Sequence, residues 1–213
     1  MKSFSPPPVA ERWSANGDGE RYAKTRFTSE RSAGRDPRLV QRLLRRHGKG
    51  IQLDRILDVP CGAGRLQTSL ARLGSVTAVD VSMSMLSARA QVPGAVDGVQ
   101  GSAWQLPLAS NAFDLVVSCR LLHHIAGDAE RAAVLAELVR VSRGLVLASF
   151  WDAASWHAFR RRRGLRRARH PDARIAVPRR TLAAQFEAAG AEVLGYAHSL
   201  RLISPQAWVA VRV

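Results

Sequence analysis

Lysine is nearly missing from this chain of 213 residues: it stands only at positions 2, 24 and 49, although lysine and arginine together number 32. The cationic surface is therefore almost wholly guanidinium. The same bias, with abundant alanine and glycine, is what a GC-rich coding sequence produces. The formal net charge of +15 thus implies attraction to polyanions (RNA, phosphorylated metabolites, an acidic membrane surface) without naming one. Cysteine is scarce as well. Cys61 and Cys119 cannot build a disulfide framework and read as small, semi-buried side chains in a reducing compartment. No apolar run approaches the roughly 20 residues that cross a bilayer, and the first residues run into charge instead of an apolar signal core, so a cytoplasmic location is expected. No His/Cys/carboxylate set has ligand spacing. His123 and His124 are adjacent, which turns their rings in different directions, and no metal site is expected. What remains is 46% hydrophobic, enough for one substantial core.

Residues 1–17 are proline-rich, polar and without periodicity, a loose tail. Residues 18–49 read as an N-terminal helical cap. One helix over 20–32 gathers Tyr22, Ala23, Arg26 and Phe27; a second is opened by Asp36-Pro37 as N-cap and first turn, carries Leu39, Val40, Leu43 and Leu44, and stops at Gly48. From residue 50 to 213 strands and helices alternate. Strands are expected at 55–59, 75–80, 95–100, 114–118 and 144–150. Between them lie helices that bury Leu66, Leu70 and Leu73, that start at Ser82, and that start at Asp128 with Val134, Leu135, Leu138 and Val141 on one face. Such alternation implies a doubly wound α/β sheet of parallel strands with right-handed crossovers. An arginine-rich insertion at about 152–180 interrupts it before a helix from Thr181 to Gly190. The final runs, 191–196 and 206–213, have no helix between them and read as an antiparallel end.

The sharpest signal is Ile56-Leu57-Asp58-Val59-Pro60-Cys61-Gly62-Ala63-Gly64-Arg65, an apolar run that ends in a glycine turn, followed by Asp80. Glycines there let backbone approach a ligand at the carboxyl end of a strand. Gln67 stands where a dinucleotide fingerprint carries its third glycine, which weakens a nicotinamide reading. The segment resembles the first motif of the class I S-adenosylmethionine-dependent methyltransferases, in a variant form with Pro-Cys-Gly at its turn. Residues 76–86, around Asp80, are similar to that family's second-strand acidic motif, and residues 106–119 to its approach to strand four. The resemblance covers roughly residues 50–150. It implies a Rossmann-like seven-stranded sheet, mostly parallel with one antiparallel strand and helices on both faces, and S-adenosyl-L-methionine as cofactor.

That cofactor needs a diol acceptor, an apolar slot and acceptors for its ammonium. Asp80 would take both ribose hydroxyls. Gly62 and Gly64, with Pro60 and Cys61, would form the turn that lets the ligand approach. Asp58 would orient that turn or hold the ammonium, together with the carbonyl of Cys119. Arg65 either reaches the cofactor carboxylate or is solvated. Val81, Ser82 and Met85 suit the adenine edge and face, though Ser82 also fits a helix cap. Ser102 stands where many family members carry an aspartate for the adenine amino group, a neutral acceptor of shorter reach. Ala103 offers an amide, and Trp104 either stacks or packs. Tyr22 and Arg26 resemble positions that close over the cofactor in the family. For methyl transfer, His124 aligns with a histidine frequent in the family, structural or a general base, with His123 beside it. Arg120 either faces the acceptor pocket, to bind a carboxylate, phosphate or phenolate, or forms a surface salt bridge.

Arg160, Arg161, Arg162 and Arg163, then Arg166, Arg167 and Arg169, follow the apolar side chains Trp151, Trp156 and Phe159. Charge beside aromatics suits an anionic amphiphile, an anionic membrane surface or RNA, and also a plain solvated helix. The leading expectation is transfer of a methyl group to O or N of a small, anionic or lipid-linked acceptor. An RNA or protein methyltransferase is the first rival, but Ser118-Cys119-Arg120-Leu121 lacks the Asn/Asp-Pro-Pro-Tyr pattern of enzymes that methylate base amino groups. A non-catalytic basic binding module on the same fold is the second.

Overall fold

Short runs of valine, leucine and isoleucine, each closed by a turn, give strands buried on both faces, the signature of an interior parallel sheet. The computed structural model describes residues 34–94, 98–163, 175–198 and 204–213, without the side chains of 161 and 162. The tail, the 20–32 helix with Tyr22 and Arg26, and Arg166, Arg167 and Arg169 lie outside the described residues. Seven strands lie on one path. These are β1 (Arg55–Asp58), β2 (Ser75–Asp80), β3 (Gly98–Gln100), β4 (Phe113–Ser118), β5 (Ser142–Asp152), β7 (Glu192–His198) and β8 (Gln206–Arg212), in the order β3-β2-β1-β4-β5-β8-β7. The two-residue β6 (Ala176–Val177) pairs with β5 off that path. Strand β8 runs antiparallel to both β5 and β7, as expected from two final runs with no helix between them.

Period-two alternation sends successive side chains to opposite faces. Ile56, Leu115, Leu145 and Trp208 pack with Leu39, Val40 and Leu43 of α1 (Arg35–His47), with Leu70 of α2 (Gln67–Leu70) and with Leu66 just before it. Leu57, Val116, Val146 and Val209 pack with Leu135 and Leu138 of α4 (Asp128–Val141) and Phe186 of α6 (Arg179–Ala188). Helix α3 (Met83–Ala90) links β2 to β3, and α5 (Trp156–Arg162) follows β5. Among the described residues no helix is long and apolar enough to cross a membrane.

Several boundaries differ from expectation for identifiable reasons. Asp36 is no cap: α1 starts at Arg35 with Gly34 at the N-cap position and no side-chain cap bond, because the Asp36 carboxylate is turned inward and fully buried. Helix α2 is a single turn and leaves Leu73 exposed. The chain must turn back at once there, since a Cβ on Gly74 would lie 2.0 Å from the Leu53 carbonyl oxygen. Strand β5 extends to Asp152 because β8 pairs with it as far as Trp151 opposite Gln206. Helix α6 starts at Arg179, earlier than Thr181, where Pro178 at the N-cap holds φ at −63°. The third strand is described only from Gly98, since 95–97 lie outside the described residues.

Gln67, at the place of the absent third glycine, is fully buried. Its Nε2 donates to the Gly94 carbonyl at 2.7 Å and its Oε1 accepts from the buried Arg89, so one amide ties α2 to the end of α3. Gln67→Ala removes an acceptor from a buried guanidinium and should lower stability by about 1–3 kcal/mol in denaturant unfolding. An unchanged midpoint would show that the tie is idle.

Candidate cofactor and acceptor site

Strand β1 lies between parallel neighbours, with Asp58 opposite Ala78 of β2 and Val117 of β4, and its end lies where the strand order reverses, the place at which ligands bind in open α/β sheets. Asp58 is 1% exposed, and neither carboxylate oxygen has a hydrogen-bond partner among the described residues. Burial pushes its carboxyl up to about 7, against the pull of the Arg89 guanidinium and with a further push from Asp80. A buried acid left unsatisfied is costly unless a cationic ligand completes it.

The turn that follows is pinned on both sides. Val59 N–H donates to the Val117 carbonyl and Cys61 N–H to the Val79 carbonyl, each at 2.9 Å. Gly62 has φ +52° and Gly64 φ +84°, a region that favours glycine. Their uses differ. Around a Cβ built on Gly62 no atom of the described residues lies within 4 Å, whereas one on Gly64 would meet Val92 Cγ2 at 3.0 Å and Arg89 Cγ at 3.2 Å, so Gly64 serves close packing against the α3 side. Asp80, also buried, accepts Gly62 N–H at 2.8 Å on one oxygen and Ser82 N–H at 2.9 Å on the other. Burial raises its carboxyl, while the amides of Ser82, Gly62 and Val81 oppose the rise. Each oxygen keeps a lone pair for a ligand hydroxyl. Pro60 is half-buried in the turn. Burial, with Asp58 and Asp80 nearby, drives the Cys61 thiol upward, so it stays neutral; burial and Asp36 do the same to Cys119. Both thiols are free.

Two residues past β2, Ser82 caps α3. Its hydroxyl accepts Met85 N–H at 3.4 Å and lies 3.0 Å from Ser84 Oγ. Met85 is buried, and Val81, half-buried, gives its carbonyl to Gln100 Nε2 at 3.1 Å. Ser102 Oγ accepts Trp104 N–H at 3.3 Å, Ala103 is buried, and Trp104 packs against the core with its indole Nε1 buried and without a hydrogen-bond partner among the described residues. This loop is fixed from α4: Glu137 accepts Leu106 N–H at 2.7 Å, and Arg140 donates to the Leu108 carbonyl at 2.9 Å.

Past β4 the chain turns sharply. Arg120 has φ +65°, its N–H donates to Ser149 Oγ at 2.6 Å, and its Nε donates to Asp36 at 3.2 Å. The same carboxylate lies 3.6 Å from Arg65 Nη1 and accepts from Gln206 Nε2 at 2.7 Å and Trp208 Nε1 at 3.4 Å. Arg65 and Arg120, distant in sequence, are thus gathered on one buried acid. Asp36 was missed as a site residue because Asp-Pro has the form of a helix start. The available signal was its place on the buried stripe of Leu39, Val40 and Leu43. His123 is buried, with its ring stacked on Trp151 at 5.6 Å and tilted against His124 at 4.3 Å; its carbonyl accepts Ile175 N–H at 2.8 Å. His124, half-buried, is the more accessible of the two. Trp156 and Phe159 of α5 stack at 5.3 Å and are exposed, with Arg163 over the Phe159 ring at 5.2 Å and Arg160 exposed beside them.

A methyltransferase domain family matches residues 57–147, from β1 into β5. The ubiquinone biosynthesis O-methyltransferase of Rhizobium rhizogenes is 32% identical over 145 residues, covering 62% of this chain and 55% of that protein. The demethylmenaquinone methyltransferase of Renibacterium salmoninarum is 35% identical over 100 residues, covering 45% and 41%. The chain therefore spans about half the length of the curated relatives it matches. Among solved structures, magnesium protoporphyrin IX methyltransferase from Synechocystis, with bound SAH, superposes with a TM-score of 0.74 at 16% identity over 96% of this chain and 97% of that one, a likeness of fold. Residues 57–147, the stretch that carries Asp58, Gly62 and Asp80, thus match a methyltransferase domain family, and the chain shares the fold of a solved methyltransferase.

Proposed function

We propose that this chain transfers the methyl group of S-adenosyl-L-methionine to an oxygen or nitrogen of a small acceptor, anionic or lipid-linked. The observation that carries the reading is Asp58, a buried carboxylate with no hydrogen-bond partner among the described residues, next to the glycine turn, where an ammonium would complete it. When bound, the cofactor supplies a sulfonium-activated methyl group, so the protein's work is alignment and exclusion of water. Asp80 accepts the ribose hydroxyls with its remaining lone pairs. Asp58 and the Cys119 carbonyl hold the ammonium. Arg65, held near Asp36, serves the cofactor carboxylate. Val81 and Met85 line one side of the adenine slot, and Ser102, Ala103 and Trp104 the other. His124 takes the proton of an acceptor hydroxyl or ammonium, and His123, locked against Trp151, positions it. Arg120 attracts an acceptor anion from the edge of the site.

The acceptor class draws support from two relatives named for ubiquinone biosynthesis and for demethylmenaquinone. The exposed Trp156 and Phe159 with Arg160 and Arg163 favour peripheral contact with an anionic membrane, where such an acceptor resides. Incubating the protein and methyl-labelled cofactor with a cell extract, then separating small-molecule, lipid, RNA and protein pools, should place label in the first or second. Label in RNA or protein would overturn the acceptor class. Label nowhere, with S-adenosylhomocysteine still bound, would identify a non-catalytic binding module.

Asp58 also sets a pH dependence. Its folded carboxyl is raised to about 7 from 3.8. Between those values the folded chain holds a proton that the unfolded chain has released, so this group's contribution to the ligand-free protein's stability falls as pH rises through that window. Asp114, Glu137 and Asp152, all lowered, act in the opposite direction below it, so the informative quantity is the difference between wild type and Asp58→Asn. Pairing with an ammonium requires the carboxylate. Affinity for S-adenosylhomocysteine should therefore rise between about pH 6 and 8 with proton release on binding, and the rise should flatten in Asp58→Asn. Calorimetry in buffers of different ionisation enthalpy decides this; equal pH profiles would sink the assignment of Asp58.

A further inference from the structure

A second cleft, of about 840 Å3, opens where α1, the end of β5, the start of α6 and β7 meet. No described residue assigned above to cofactor or acceptor lines it. Its walls carry four guanidiniums, Arg42 and Arg46 from α1 and Arg179 and Arg180 from α6, with His198 from β7 and one acid, Asp152.

The cations divide into two kinds. Asp152, 2% exposed, accepts Arg179 Nε at 2.9 Å and Nη2 at 2.7 Å and lies 3.0 Å from His198 Nε2. Burial works against its charge, but the Ala154 amide, His198 and Arg179 hold its carboxyl below the ordinary range. It is a fixed pivot, and Arg179 is further held over the Tyr196 ring at 5.1 Å. Arg42, Arg46 and Arg180 are exposed and make no ion pair or hydrogen bond among the described residues. One acid offsets one guanidinium, which leaves three uncompensated positive charges on one concave wall. Such a wall focuses potential on a multivalent anion, and the planar fork of arginine matches the oxygens of phosphate. A single carboxylate would leave most of that charge unanswered. The volume falls within the range of small-molecule sites, and the half-buried Tyr196 ring gives an organic group a place to pack.

We propose that this cleft binds a small molecule bearing a phosphate or diphosphate group, at a site separate from the methyl-transfer centre. The site stands independently of the acceptor assignment. Inorganic pyrophosphate is the probe, titrated calorimetrically into the full chain at about 0.15 M salt, with and without S-adenosylhomocysteine. Arg42→Gln with Arg46→Gln, and separately Arg180→Gln, keep long side chains on exposed positions and should each weaken pyrophosphate binding about tenfold or more. Affinity for S-adenosylhomocysteine should not change, which also reports that the variants are folded. Arg72→Gln, an exposed arginine outside the cleft, removes one charge from the whole protein and should leave binding intact. Absence of pyrophosphate binding by the wild type, or equal loss in Arg72→Gln, would overturn the site and assign the attraction to net charge. Phosphatidylcholine vesicles with and without phosphatidic acid are tested for displacement of the probe. Displacement only by the acidic vesicles makes a lipid headgroup the source of the phosphate, and no displacement makes it a soluble one.

Discussion

The constraint on which this structure turns is an uncompensated carboxylate in the interior. Asp58 ends β1, which lies between two parallel neighbours, β2 and β4, so its side chain has low-dielectric protein on either flank and no hydrogen-bond donor among the described residues. Surrounding residues fix that vacancy of partners without filling it. Val59 and Cys61 tie the turn to β4 and β2, Asp80 spends one lone pair of each oxygen on the backbone of Gly62 and Ser82, and Gln67 holds Arg89 toward α2. Preorganisation of this kind places its cost in folding, so that a ligand of the right charge meets donors and acceptors already in position.

A second buried acid extends the same order outward. Asp36 joins α1 to Gln206 and Trp208 of β8, to Arg120 behind β4 and to the vicinity of Arg65 in the glycine turn. A helix that precedes the sheet in sequence is thereby coupled to the glycine turn after β1 and to the turn after β4. Removing either partner of such a set leaves a buried charge unanswered, which is why its members act together.

Much of this was legible in sequence, because the signals were local. Alternating apolar runs and turn residues placed the sheet, and the missing helix before residue 206 marked the antiparallel strand. Asp80 and Gly62 were read as separate ligand contacts, and the structure adds that one holds the other at 2.8 Å. Where sequence failed, a tertiary partner had overridden a local preference. Asp36 before Pro37 has every feature of an N-cap, yet its carboxylate bonds better to β8 than to its own helix. Leu66, Leu70 and Leu73 have helical spacing, but the tight return at Gly74 ends α2 after one turn. Gln67 looked like a lost glycine and is a packed, bonded amide. Asp152, Arg179 and His198 come from three elements far apart in the chain, and no spacing rule gathers them.

The most direct test of the account is a crystal structure of the full chain with S-adenosylhomocysteine. It should show the ligand ammonium within hydrogen-bond reach of Asp58, both ribose hydroxyls on Asp80 and the ligand's nearest backbone approach at Gly62. A nucleoside bound elsewhere, with Asp58 still enclosed by protein alone, would contradict it.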